Sequence, residues 1–343
     1  MRCLTLAHAL SEKGADVTFI CRNLDGNLVE KIRQEGFDAF LLVLASPFDG
    51  KANLKKEPKL FHSEWLEATQ LEDVEECAPI LKKIQPDWLI VDHYSIDQFW
   101  QTRLAPFCRK LMVIDDLADR QHVCDLLLDQ NFGSTVDKYK MRVQRNCKVL
   151  AGSHYALLRP EFAKWRSYSL ARRHPDNRVE TILISMGGVD PDNYTGRILQ
   201  QLMELDVEQC VKITVVMGAT APHTASVKKL AQKMAVNTTV NTNVGNMAEL
   251  MANSDLAIGA AGATSWERCC LGLPTIQLVI AENQRQIARA LSEANAIMLL
   301  DSLADLSDSV VTAEQWCPGV VNSAHSVTDG LGVNRVVDAI QSI

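Results

Sequence analysis

The stretch Leu256–Leu273, LAIGAAGATSWERCCLGL, leaves few folds open. A short apolar run passes through residues with almost no side chain, Gly259, Ala260, Ala261 and Gly262, into a segment of helical character. Buried strand, tight turn and helix in succession are the repeating unit of an α/β protein. At such a turn the unpaired N–H groups and the positive end of the helix dipole attract an anion, and the small residues leave room for a diphosphate. On this reading Gly262, Ala263, Thr264 and Ser265 surround the phosphates, and Glu267, about one turn into the helix, accepts hydrogen bonds from two ribose hydroxyls. The implied ligand is a nucleotide. The same pattern also describes an ordinary α/β connection that binds nothing.

A second loop of the same kind shifts the balance. Thr181–Asn193, TILISMGGVDPDN, is again an apolar strand, followed by Gly187 and Gly188 and then by polar residues suited to start a helix. In a parallel sheet both loops emerge at the carboxyl ends of strands, where open α/β folds bind ligands.

The rest of the chain alternates in the same way. Its first half reads as a helix over Cys3–Lys13, a strand from Asp16, a helix over Leu28–Glu35, the strand FDAFLLV, a helix over Trp65–Ile84, and the strands DWLIVDHY, KLMVIDD, CDLLLDQN and KVLAGSHYALL. Ser46–Glu64 is polar and Lys-rich, either a loop over a cleft or a solvated connection. With 343 residues, two domains are expected, divided at the charged stretch Lys164–Arg178 into residues 1–165 and 166–343. The second half repeats the strand–helix alternation, and its last helix, Asn334–Ile343, is expected to pack back on the first domain. A doubly wound domain usually opens with a strand. Here the helix begins at Met1, so a strand and its loop are missing from the expected pattern.

Composition narrows the partners. Hydrophobic residues at 47% and charged residues at 22% suit a globular chain, and a net charge of -7 argues against a nucleic-acid binder. Ten cysteines without a CxxC pair, and histidines without metal-ligand spacing, predict neither a zinc site nor a disulfide framework, and so a reduced, cytoplasmic protein. No apolar run reaches the roughly 18 to 20 residues of a membrane span, so no membrane partner is expected.

Taken together, RCLTLAHAL, VDHY, IDDLADRQHVCDLLLDQN, GSHYALLRPEF, SMGGVDPDN, GAAGATSWE, ENQ and VTDGLGVNRVV resemble the hydrolase family that removes UDP from UDP-2,4-diacetamido-2,4,6-trideoxy-β-L-altrose in pseudaminic acid biosynthesis. That family is related to MurG-like glycosyltransferases. The resemblance implies a GT-B fold, two doubly wound Rossmann-like domains with a cleft between them. It implies inverting attack of water at the sugar C1, with UDP and the free sugar as products and no metal or other cofactor. A glycosyltransferase of the MurG type, or a fragment that binds UDP without turning it over, is the alternative.

By the same resemblance Tyr94 of VDHY lines the sugar side, and Asn283 of ENQ, beside Gln284, reaches the sugar or the β-phosphate. Arg2 matches the arginine of a GxGHxxR loop whose histidine, the family's general base, would precede Met1. In Asn243–Ala248, NVGNMA, Val244 and Met247 are placed to read the uracil edge, the plainer reading being a helix cap at Asn246. Asp92, His93 and Asp116 are further candidates on the sugar side. His93 reads equally as a core histidine, and Asp115 with Asp116 as an acid–base pair or as turn formers. Asp97 and Arg120 read as exposed charge.

Overall fold

The computed structural model describes residues 1–42, 60–174, 176–205 and 212–343. Most of the polar stretch Ser46–Glu64 lies outside the described residues. Two compact units are present, Met1–Leu157 with Val333–Ile343, and Leu158–Gly332.

The first unit contains α1 (Arg2–Glu12), β1 (Thr18–Arg22), α2 (Val29–Gln34), β2 (Asp38–Leu42), α3 (Gln70–Ile84), β3 (Trp88–Val91), α4 (Gln98–Leu104), β4 (Lys110–Ile114), β5 (Leu126–Asp129) and β6 (Lys148–Ala151). All its strand pairings are parallel, but the described strands form two sheets, β1-β2 and β3-β4-β5-β6, where one doubly wound sheet was expected. Both faces of the larger sheet are covered, which explains the uninterrupted apolar runs. Leu111, Val113 and Leu127 join a core with Val74, Leu81 and Trp100 on one face. Met112, Ile114, Leu126 and Leu128 join Leu6 of α1 and Val333, Val336, Val337 and Ile340 on the other. The final helix of the chain thus belongs to the first unit.

The helix expected from Trp65 starts later, at Gln70. Thr69 and Glu72 form a reciprocal capping box, the Thr69 hydroxyl accepting from the Glu72 N–H at 3.2 Å and the Glu72 carboxylate from the Thr69 N–H at 2.8 Å. Ser63–Leu66 before it is a separate turn of 3-10 helix, ended by Glu67 in the left-handed region at φ 51°.

The second unit contains α5 (Pro160–Ala171), β7 (Thr181–Ser185), α6 (Tyr194–Glu204), β8 (Lys212–Met217), α7 (Thr224–Ala231), β9 (Asn237–Thr242), α8 (Met247–Ala252), β10 (Leu256–Ala260), α9 (Thr264–Cys270), β11 (Thr275–Leu278), α10 (Arg285–Glu293), β12 (Met298–Leu300), α11 (Leu306–Val311) and α12 (Ala313–Val327). Its six parallel strands run in the order β12-β11-β10-β7-β8-β9. Counted along the chain this is 3-2-1-4-5-6, the doubly wound order that reverses direction between its first and fourth strands, β7 and β10.

The charged stretch Lys164–Arg178, read as a boundary, is largely helix α5 and part of the second unit. Its polar side chains serve neighbouring helix ends. Arg166 donates to the His325 carbonyl at 2.8 Å, Ser169 to the Leu271 carbonyl at 2.7 Å, Arg172 to the Ala252 carbonyl at 3.1 Å and Arg173 to the Leu271 carbonyl at 3.0 Å. These last-turn carbonyls have no partner within their own helices, so the arginines complete the packing. No described helix is long and apolar enough to cross a membrane.

Candidate active site

The reversal between β7 and β10 creates a crevice at the carboxyl ends of the strands. The two loops singled out in the sequence emerge there, side by side. After β7, Gly187 adopts φ +95°, a conformation natural to glycine, and a Cβ at Gly187 or Gly188 would meet nothing within 4 Å. The N–H groups of both glycines lack a partner among the described residues. The start of α6 beyond them is closed to anions. Asp190, buried, accepts from the Tyr194 N–H at 2.8 Å and the Thr195 N–H at 2.9 Å, and Asn193 accepts from the Gly196 N–H at 3.2 Å. An anion at this loop therefore relies on the glycine amides, because the helix terminus already holds a carboxylate.

One residue that matters here was not singled out from the sequence. A Cβ on Gly218, just after β8, would lie 1.8 Å from the Gly188 carbonyl oxygen, so Gly218 lets the Gly187–Gly188 turn take its path. A glycine closing the apolar run KITVVM is the only sequence signal, and it identifies no partner.

After β10 the geometry corrects part of the expectation. The Gly262 N–H donates to Ser265 Oγ at 3.2 Å, the Ala261 N–H to the Leu278 carbonyl at 2.9 Å, the Ser265 N–H to the Gly262 carbonyl at 2.9 Å and the Trp266 N–H to the Ala263 carbonyl at 3.2 Å. Only the N–H groups of Ala263 and Thr264 are left without a partner at this turn, among the described residues. Ser265 is turned inward, its hydroxyl donating to Gln277 Oε1 at 2.9 Å, so it braces the turn and cannot also hold a phosphate. Gly262 contributes space and no donor.

Glu267 stands on the first turn of α9. Burial pushes its carboxyl up to about 7, against the pull of Arg159 and Arg268. Gln284 lies nearby, its side-chain nitrogen 4.0 Å from where a Cβ on Gly262 would sit, while its Oε1 accepts from the Ile280 N–H at 3.2 Å. Asn283 precedes it in the 3-10 turn Glu282–Gln284 after β11. Val244 and Met247 flank an open glycine, Gly245, beyond β9 at the edge of the sheet. There the Asn246 side chain donates to Glu249 Oε2 at 2.8 Å and makes no cap bond to the backbone.

In the first unit the candidates cluster where β3 and β4 end. Arg2, at the start of α1, donates twice to Asp92, at 3.0 and 2.6 Å, and approaches Asp116 at 3.8 Å. The Cys3 thiol also donates to Asp92, at 3.0 Å. Burial pushes the Asp92 carboxyl up, but Arg2 more than reverses this and holds it below the usual range. Burial raises both the Tyr94 hydroxyl and the Asp116 carboxyl. Each acts on the other, and Arg2 opposes both rises without cancelling them. His93 sits differently. Its Nδ1 accepts from the Ser95 N–H at 3.1 Å, and burial lowers its pKa, so it is a neutral ring that caps its own loop.

Asp115 and Asp116, adjacent in sequence, differ in their surroundings. Asp115 is fully buried, 2.8 Å from Arg120 Nη1, accepting from the Ala118 N–H at 2.9 Å and the Tyr139 hydroxyl at 3.2 Å. Burial pushes its carboxyl up, but His122 and Arg120 hold it well below the usual range, which makes it an anchor. Two expectations of exposed charge fail here. Arg120 is buried, with its Nε donating to the Ile96 carbonyl at 2.8 Å, and Asp97 is a buried N-cap accepting from the Phe99 N–H at 2.8 Å. Among the described residues, no group of His, Cys, Asp and Glu is arranged to hold a metal ion.

Residues 181–311 match the glycosyltransferase family 28 C-terminal domain. The chain is 24% identical over 286 residues to the UDP-2,4-diacetamido-2,4,6-trideoxy-beta-L-altropyranose hydrolase of Campylobacter jejuni, covering 83% of this chain and 88% of that protein. The resemblance read from the sequence therefore holds. An uncharacterized protein of Methanocaldococcus jannaschii, MJ1062, is 30% identical over 210 residues, 60% of this chain, and the match spans only 43% of its own length. Among solved structures, MurG of Acinetobacter baumannii aligns over 100% of this chain and 95% of its own, with a TM-score of 0.66 at 14% identity. The fold is the two-domain GT-B fold.

Proposed function

We propose that this chain hydrolyses UDP-2,4-diacetamido-2,4,6-trideoxy-β-L-altrose, with water attacking C1 under inversion and UDP leaving. The observation that carries the reading is the pair of turns at the β7/β10 reversal, with four amides, those of Gly187, Gly188, Ala263 and Thr264, that have no partner among the described residues, beside Glu267. Similarity to a hydrolase of that name over most of both chains supports the choice of substrate.

Hydrolysis breaks the bond between C1 and the diphosphate oxygen, and its electrons go to the diphosphate. Amides fixed in place beforehand stabilise that charge without reorganising during the reaction. Glu267 as carboxylate holds the ribose, Val244 and Met247 meet the uracil, and Asn283 and Gln284 are the candidates for the sugar or the β-phosphate. On the sugar side, Tyr94, Asp92 and Arg2 position the ring. Asp116, its carboxyl raised above the ordinary value, is the described group best suited to take the proton of the attacking water. His93, neutral and engaged through Nδ1, keeps a structural part.

The test is to incubate the protein with the nucleotide sugar in buffer and follow UDP and the free sugar by NMR. Release of both with water alone, the sugar appearing first as the inverted anomer, supports the reading. A second reading, transfer to an acceptor, draws on the family 28 match and the MurG-like fold. Product formation only when an acceptor alcohol is added would favour it.

A further inference from the structure

Arg268 is 2% exposed, on α9 just after the Ala263–Thr264 turn, and among the described residues no carboxylate forms an ion pair with it. Nη2 donates to the Ala260 carbonyl at 2.8 Å, Ser265 Oγ at 3.3 Å and Gln277 Oε1 at 3.2 Å, and Nη1 donates to Thr264 Oγ1 at 3.2 Å. Among the described residues Nε has no partner, and no acidic oxygen comes within the 4.0 Å of an ion pair. The guanidinium is wedged against the strands at the reversal. A Cβ on Gly259 of β10 would lie 2.6 Å from Nη1 and 3.0 Å from the Ser185 carbonyl of β7.

A buried cation without an anion is costly, and neutral dipoles repay only part of that cost. Burial accordingly pushes the Arg268 guanidinium down to about 10. Glu267, the preceding residue, pulls the guanidinium back up only in part, since burial still leaves it lowered, and the two form no ion pair among the described contacts. An anion at the Ala263–Thr264 amides would supply the missing counter-charge through a medium that screens weakly.

We propose that Arg268 is a positioning residue for the diphosphate: it locks the turn from below, and its uncompensated charge makes the site favour a diphosphate over a neutral nucleoside. This rests on the proposed reading of the two turns as a UDP site. Arg268 would touch the ligand only through the turn it holds.

The test compares UDP and uridine binding, by calorimetry, to the full chain and to Arg268→Met, with Arg268→Lys as the variant that keeps the charge. We expect the Met variant to lose about tenfold or more in UDP affinity while uridine affinity changes by less than about threefold, and the Lys variant to recover much of the loss. Where Met fails to fold, Arg268→Gln serves in its place, keeping polar contact without charge. Equal loss of UDP and uridine affinity would mean a purely structural role and overturn the inference, as would unchanged UDP affinity. No UDP binding by the unaltered chain would instead remove the nucleotide reading itself, a distinct result.

Discussion

Glu267 gives the sharpest prediction, because its protonation couples the proposed ribose contact to pH. With its carboxyl near 7 in the ligand-free protein, about one molecule in eleven is ionised at pH 6 and about ten in eleven at pH 8. Ribose hydroxyls donate hydrogen bonds, so only the carboxylate can accept from both. UDP affinity through Glu267 should therefore rise by up to about tenfold between pH 6 and pH 8, with a midpoint near 7. UDP also titrates near pH ~6, so the quantity to measure is the ratio of unaltered to Glu267→Ala affinity, from which that contribution cancels. At pH 8 the substitution should cost about 1–3 kcal/mol, the range for losing charge-assisted hydrogen bonds. Calorimetric titration at several pH values reads both numbers. A ratio that stays flat from pH 6 to 8, or near unity at pH 8, would refute the ribose role.

The same group sets a stability window. Its pKa is about 7 in the folded state against the ordinary 4.5 of an unburied glutamate, so the folded state holds the proton more tightly, and this stabilisation, complete below about 4.5, fades as pH rises through 7. Glu267→Gln should thus raise the melting temperature at pH 8 more than at pH 4, and an equal effect at both would contradict the assignment. Asp116→Asn should slow hydrolysis by about 100-fold or more while leaving UDP affinity within about twofold, because the carboxyl acts on water and not on the nucleotide; full turnover would remove Asp116 as proton acceptor. Gly218→Ala should weaken UDP binding with the fold retained, since its Cβ would be 1.8 Å from the Gly188 carbonyl and the turn must shift; calorimetry with a circular-dichroism control checks this. Leu6→Ala should destabilise the first unit by about 2–5 kcal/mol, as it empties a fully buried place between the sheet and the last helix; a loss under ~0.5 kcal/mol in denaturant unfolding would argue against that packing.

Strands and loops were legible for a physical reason. A strand buried on both faces is written as an apolar run such as LMVI or LLL, and a turn that must leave space is written in glycine. Pairings between distant residues were not legible. Arg2 meets Asp92 across 90 residues, and nothing local in either marks the other. Arg120 and Asp97 read as surface charge because groups that hold them lie far along the chain: the Ile96 carbonyl accepts from Arg120 Nε, and Gln70 Oε1 accepts from the Asp97 N–H. The arginines of Lys164–Arg178 read as a domain boundary for the same reason, since the carbonyls they satisfy belong to other helices. At the site itself, small residues revealed room for a diphosphate, but not that Ser265 and the Leu278 carbonyl had already taken two of the amides.

The most direct measurement is a crystal structure of this chain with UDP bound. The account predicts diphosphate oxygens within hydrogen-bond distance of the Gly187 or Gly188 amide and of the Ala263 or Thr264 amide, with the ribose hydroxyls on Glu267. UDP lodged elsewhere, or a diphosphate that touches neither turn, would contradict it.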